Sequence, residues 1–254
     1  MRWMGTGFRF EVVNAQDYDD LRPGYAPEAV AWVAERAELR EGSLVADLAA
    51  GTGQLARRFA LLGVEVLAVE PAANMRAVLQ GRLPGIRVVD GTAESIPLDD
   101  GAAEAVVVGN AFHHFDAGAA FVEIRRVLRP NGALTLFWAW PPGEEYLRHP
   151  RLREIDEALE PARAASAIAT AYRLWSEPPG PIPGYTEVER LEFPTTHTLP
   201  SARLADLFAT SSDVASLPEQ ERIALLARVR ELSRDLPKTL ELPGRSVVDL
   251  FFRD

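Results

Sequence analysis

Leu44-Val45-Ala46-Asp47-Leu48-Ala49-Ala50-Gly51-Thr52-Gly53 is the stretch that decides how this chain folds. Its first residues read as an apolar strand with an acid near the end. A turn of small residues follows, and Gly53–Leu62 reads as a helix. A second apolar strand, Val64-Glu65-Val66-Leu67-Ala68-Val69, runs into a second acid, Glu70. Two parallel strands with acids at their C-terminal tips and a glycine turn between them form a pocket for an adenosine-bearing cofactor.

Outward from this unit the strand and helix patterns keep alternating. Pro27–Leu39 reads as a helix with Val30, Val33, Ala34 and Ala37 on one face. Ser43–Leu48 and Val64–Val69 are strands, and Ala72–Gln80 is a helix. Ile86–Asp90 and Ala103–Val108 are strands. Ala117–Leu128 is a helix with Phe121, Ile124, Val127 and Leu128 inward. The turn Arg129-Pro130-Asn131-Gly132 leads into the strand Ala133–Trp140. Strands apolar on both faces, alternating with amphipathic helices, imply a parallel sheet covered on both sides. After Pro141-Pro142-Gly143 the pattern changes. Residues 144–176 read as helical, and Pro178–Gly184 as a loop. Thr186–Phe193 reads as a strand, 201–210 and 218–235 as helices, and Ser246–Phe252 as a last strand. In the helix at 218–235, Ile223, Leu226, Val229 and Leu232 are expected to face inward. No repeat or flexible linker cuts the chain, so 1–254 reads as a single domain.

Composition narrows the function. The 254 residues carry a net charge of −10, which argues against a nucleic-acid partner, where phosphates demand clustered basic side chains. The chain has no cysteine, which removes thiolate metal sites and cysteine nucleophiles and fits a cytoplasmic setting. The N-terminus shows no apolar signal region, and no apolar run approaches the roughly 18–20 residues of a membrane span. The four histidines show no metal-binding spacing, so no metal is expected. His149 and His197 have no motif around them and read as surface residues.

Gly51-Thr52-Gly53-Gln54-Leu55-Ala56 satisfies the G-x-G-x-x-G/A pattern of a dinucleotide site. Asp47 opposes that reading. A carboxylate at the strand tip would repel bound phosphates, and unit charges about 4 Å apart interact by a few kcal/mol at intermediate dielectric. An acid there suits a cation instead. S-adenosyl-L-methionine carries an ammonium and a sulfonium and has no phosphate.

Here the order of strands, turn and acids resembles the class I S-adenosylmethionine-dependent methyltransferases. Their acid-x-Gly-x-Gly-x-Gly motif stands as Asp47-Leu48-Ala49-Ala50-Gly51-Thr52-Gly53, with Ala49 in the first glycine's place. The resemblance covers about 18–140 well and the rest loosely. It implies a doubly wound α/β fold: a mostly parallel seven-stranded sheet with helices on both faces, plus a helical cap. Within it, 1–25 would be an N-terminal lid and 26–140 the cofactor-binding core. The segment 141–184 would be a helical insertion, and 185–254 would complete the sheet.

The resemblance also implies site residues. Asp47, Ala49, Gly51 and Gly53 would receive the methionine end, and Glu70, followed by Pro71, the ribose. Met75 would pack on the adenine, whose edge Thr92, Ala93 and Glu94 would read; Thr92 stands where the family usually has an acid. Asn110 and Phe112, in Gly109-Asn110-Ala111-Phe112-His113-His114-Phe115-Asp116, would line the methionine and methyl, although Asn110 also reads as a strand-end turn residue. Tyr18, Arg22 and Tyr25, in Tyr18-Asp19-Asp20-Leu21-Arg22-Pro23-Gly24-Tyr25, would contact the methionine end or the acceptor, with Arg22 meeting the cofactor carboxylate. His113 is the candidate general base. Trp138 and Trp140 read either as pocket lining or as core. The implied activity is methyl transfer to a small-molecule substrate with S-adenosyl-L-homocysteine as product. A non-catalytic binding protein of the same fold and an NAD(P)-dependent oxidoreductase are the alternatives.

Overall fold

The computed structural model describes residues 10–140, 149–166 and 182–254. Seven strands form its centre: β1 (Leu44–Leu48), β2 (Glu65–Val69), β3 (Arg87–Val89), β4 (Ala103–Gly109), β5 (Leu128–Trp140), β6 (Tyr185–Pro200) and β7 (Thr239–Arg253). They make one sheet in the order β3-β2-β1-β4-β5-β7-β6. The first five pair in parallel, and β7 runs antiparallel between β5 and β6. This is the doubly wound, mostly parallel sheet expected from the alternating pattern.

Both faces of the sheet are covered because side chains alternate along each strand. Ala46, Leu48, Val106, Val108, Leu134 and Leu136 point into one core with α5 (Ala117–Val127). Val45, Ala105, Val107, Ala133 and Phe137 point into the other, against α2 (Pro27–Arg36) and α3 (Ala56–Ala60). The remaining elements of this half are α1 (Ala15–Leu21) and α4 (Ala73–Arg82). Asp116 starts α5 by accepting the backbone N–H groups of Gly118 and Ala119, a standard N-cap.

Two expectations change here. The strand expected to begin at Ala133 begins at Leu128: Leu128 pairs with Ala103, and Ala133 with Ala105. The residues between them bulge outward, with Asn131 in the left-handed region at φ 60°. The last strands are longer than expected, because β6 and β7 continue past the sheet as a two-stranded extension, from Thr195↔Gly244 to Pro200↔Thr239.

That extension carries a core of its own. Helix α6 (Pro150–Ala165) falls within the helical stretch expected at 144–176; positions 141–148 and 167–181 lie outside the described residues. Helices α7 (Leu204–Ala209), α8 (Ser212–Ala215) and α9 (Glu219–Ser233) follow β6. Ile155, Leu159, Val229 and Leu232 pack with Leu199, Leu240 and Leu242 from the strand ends. Ile223 was expected inward and is instead 58% exposed, whereas Leu226, Val229 and Leu232 are buried. Steps of three residues drift by about 60° around a helix of 3.6 residues per turn, so the first member of the stripe rotates out.

Asp249 is a buried acid in the middle of β7. Its carboxylate forms an ion pair with Arg190, whose Nε lies 2.7 Å away, and accepts hydrogen bonds from Arg190 Nη2 at 3.0 Å and from the Trp138 indole N–H at 3.3 Å. Trp138 is therefore core rather than pocket lining; the side chain of Trp140 lies outside the described residues. Removing one member leaves the other charge buried and unpaired. Asp249→Ala is expected to lower unfolding free energy by about 3 kcal/mol in urea denaturation.

Candidate functional site

Strand order reverses between β1 and β4, and the crevice at their C-terminal ends is where ligands bind in such sheets. Both strands leave the sheet through left-handed residues: Ala49 follows β1 at φ 51°, and Asn110 follows β4 at φ 51°. This conformation costs a residue with a Cβ about 1–2 kcal/mol, which is why glycine is the usual occupant. Asn110 is held by its neighbours. Its N–H donates to the Phe137 carbonyl at 2.8 Å, and its side-chain oxygen accepts the Ala139 N–H at 2.9 Å. The strand-end turn role is thus realised at the edge of the crevice.

A cavity with about 520 Å³ of empty space, part of it open to solvent, fills this crevice. The first turn contributes Asp47, Ala49, Ala50, Gly51, Gln54 and Leu55. The second contributes Gly109 and Asn110, and β5 adds Ala139. The N-terminal segment closes the cavity with Tyr18, Arg22, Pro23 and Tyr25. Gly109 leaves room for the lid, since a Cβ there would run into the Tyr25 hydroxyl. Gly53 stands behind the lining with φ 87°, where a Cβ would come within 3.0 Å of Leu79 and Leu83. Its role is close packing of the turn on α4.

Charge is the distinctive feature of the cavity. Asp47 is buried, and its Oδ2 has no hydrogen-bond partner among the described residues. Burial raises its pKa to about 8; the Ala56 backbone N–H opposes that shift, and the nearby Glu70 adds to it. Glu70 accepts the N–H of Gly51 at 2.8 Å and that of Ala72 at 2.8 Å, stapling the glycine turn to the start of α4. Burial raises the Glu70 pKa as well, against these two hydrogen bonds and the Arg76 charge. Across the cavity, Arg22 donates to the Thr210 hydroxyl at 2.9 Å and the Thr210 carbonyl at 2.8 Å, and it lies over the Tyr18 ring at 5.3 Å. It has no acidic partner among the described residues.

Other expected residues lie elsewhere. Met75 is buried with Val13, Ala15 and Ala72 beneath α1, and Pro71 is exposed. Thr92 is exposed and bridges Ser95, while Ala93 is buried in the core. Glu94 accepts the Asp116 N–H at 2.9 Å, bracing the start of α5. Phe112 packs in the core against Phe115 and Phe121. His113 is buried beside His114, with ring centroids 4.0 Å apart, and outside the cavity lining. Burial, then the His114 neighbour, holds its pKa well below the usual histidine value, so it is neutral and weakly basic. Burial brings His114 to about 4.

The sequence reading missed Gln54 and Thr210. Gln54 sits inside the glycine pattern, and its amide ties the lid down by donating to the Asp19 carbonyl at 2.9 Å. Thr210 has no sequence signal. Neither remaining histidine is a bare surface residue: the His149 ring caps α6, and His197 lies half-buried beside Leu21 and Arg22.

A family model described as a methyltransferase domain matches residues 46–136, the stretch that builds the crevice. An uncharacterized methyltransferase of Mycobacterium tuberculosis is 38% identical over 218 residues, covering 85% of this chain and 82% of its own. The chain belongs to the class I S-adenosylmethionine-dependent methyltransferase family. An uncharacterized methyltransferase of Schizosaccharomyces pombe is 29% identical over 92% of this chain and 90% of its own. The solved structure of an Anaeromyxobacter dehalogenans protein named as a type II methyltransferase shares the fold. Its TM-score is 0.62 at 20% identity, with 91% of this chain and 97% of that one covered.

The buried acid of this methyltransferase leaves a measurable trace. With its folded pKa raised, Asp47 stays protonated in the folded chain at pH values where the unfolded chain has ionised it. Stability is therefore fully present in acid and is lost as pH rises from about 4 to about 8. Asp47→Asn removes this loss. Urea denaturation is expected to show the variant equal to the parent at pH 4 and more stable at pH 8, on the order of 2–5 kcal/mol. An unchanged difference across that range would contradict the assignment.

Proposed function

We propose that this methyltransferase holds S-adenosyl-L-methionine in the cavity between β1 and β4. It would transfer a methyl group to a small organic acceptor by direct in-line displacement and release S-adenosyl-L-homocysteine. One observation carries this reading: Asp47, with a carboxyl oxygen unpartnered among the described residues, and Arg22, a guanidinium without a counter-charge among them, line a single cavity. The amino-acid end of the cofactor carries the complementary pair, an ammonium and a carboxylate. Asp47 is assigned to the ammonium, Arg22 to the carboxylate and Glu70 to the ribose. Each Glu70 oxygen keeps a lone pair beyond its backbone N–H. Gly51 lets backbone approach the ligand at φ 58°.

When bound, the cofactor supplies an electrophilic methyl on sulfur. The chain's own task is orientation and exclusion of water. Tyr18, Arg22 and Tyr25 roof the cavity, and Tyr25, Asn110 and Ala139 are assigned to the acceptor side. The titratable groups of the lining are Tyr18, Arg22, Tyr25 and Asp47. His113 lies outside it, so no general base is assigned. The covering of the cavity by Tyr18, Arg22 and Tyr25 and the net charge of −10 support a small acceptor over a nucleic acid.

Calorimetric titration tests this reading. S-adenosyl-L-homocysteine is expected to bind and NAD not to. Asp47→Ala and Arg22→Ala should each weaken binding by about 1.5–3 kcal/mol, the range for a hydrogen bond to a charged group. An ammonium beside Asp47 favours its ionised form, so binding near pH 7 should release a proton, read as a buffer-dependent heat. S-adenosyl-L-homocysteine formed across a panel of small acceptors, with the labelled methyl recovered on the acceptor, separates turnover from binding alone. Stabilisation by NAD in place of the adenosyl ligands would overturn the proposal.

A further inference from the structure

Arg22 can serve a ligand only if its planar fork is held in one orientation, and Thr210 supplies the hold. Thr210 ends α7 and is buried. Its hydroxyl proton is committed to the Leu207 carbonyl at 2.6 Å, so the oxygen can only accept from Arg22. The Thr210 carbonyl, left free by the end of the helix, accepts a second N–H of the same guanidinium. Two acceptors set as a pair fix the plane of a guanidinium, which a lysine could not match. Tyr18 covers its face. Thr210 and Tyr18 are both uncharged, so they orient the cation without neutralising it. His197 flanks the group, and burial lowers its pKa, keeping it neutral as well. The other end of α1 is tied to the same region, since Asp17 pairs with Arg203 at 2.7 Å just before α7.

We infer that Thr210 is a positioning residue for Arg22, and that the C-terminal end of α7 thereby belongs to the cofactor's carboxylate subsite. This inference rests on the assignment of Arg22 to that carboxylate. Thr210 fixes Nε and Nη2 and leaves the rest of the fork to the cavity. The cost of ordering a long side chain is met before the ligand arrives, so the preorganisation appears as affinity for the carboxylate. Adenosine recognition, centred on Glu70, does not depend on it.

Two ligands separate this role from a structural one. S-adenosyl-L-homocysteine carries the amino-acid carboxylate, whereas 5′-methylthioadenosine keeps the adenosine and sulfur without it. Thr210→Val retains shape and the backbone carbonyl and removes the accepting oxygen. It is expected to weaken S-adenosyl-L-homocysteine about tenfold and 5′-methylthioadenosine less than about twofold in calorimetry. Thr210→Ser should restore binding. In an Arg22→Met background, Thr210→Val should cause no further loss. If Thr210→Val does not fold, Arg22→Lys keeps the charge without the paired contact and should show the same selective loss. Equal weakening of both ligands, or none for S-adenosyl-L-homocysteine, overturns the Thr210 assignment alone. If the parent chain binds neither ligand, the cofactor reading itself falls.

Discussion

Asp47 and Glu70 place two carboxylates in one crevice at the reversal point of the sheet, where burial raises both pKa values and the charge of Glu70 adds to that of Asp47. Backbone N–H groups satisfy much of Glu70 but leave one oxygen of Asp47 unmet. Taking such a group out of water costs free energy, and the surrounding protein returns only part of it. The rest of the site follows from this constraint. The turn after β1 must bend sharply enough to bring backbone over the acid, which forces Ala49 into a left-handed conformation. The second turn mirrors it at Asn110. A positive charge placed between these turns would favour the ionised form of Asp47.

The lid is secured differently. Helix α1 has seven residues, too few to persist alone in water. Asp19 holds it through ion pairs with Arg57 at 2.7 Å and Arg82 at 3.0 Å, and Asn74 donates to the carbonyls of Phe10 and Val13. Phe10 meets the His114 ring edge-on at 5.3 Å. These ties are mostly half-exposed ion pairs and single hydrogen bonds, each worth little beside the apolar sheet core.

The cofactor half of the fold was legible because its signals are local. Strand period, small-residue turn and strand-tip acids lie within a few residues of one another, and the sheet order follows from their alternation. The departures lie where distance along the chain hides the partner. Trp138 is ambiguous in sequence because the acid that accepts its indole N–H, Asp249, itself paired with Arg190, lies 111 positions later. Glu94 suited an adenine edge by position, yet Asp116 takes its carboxylate. Thr210 carries no pattern, because its meaning depends on a residue 188 positions earlier. The length of β6 and β7 was underestimated for a related reason: beyond the sheet their partners are each other and the helices they support, and alternation alone does not show where pairing stops.

That overhang divides the labour in the molecule. The sheet cores hold the crevice, while α6, α7 and α9 pack on the strand ends around a separate apolar cluster containing Ile155 and Val229. The two units still meet where Arg22 reaches from the lid to Thr210 at the end of α7. A shift of the helical unit would therefore move the Arg22 guanidinium relative to Asp47 across the described lining of the cavity.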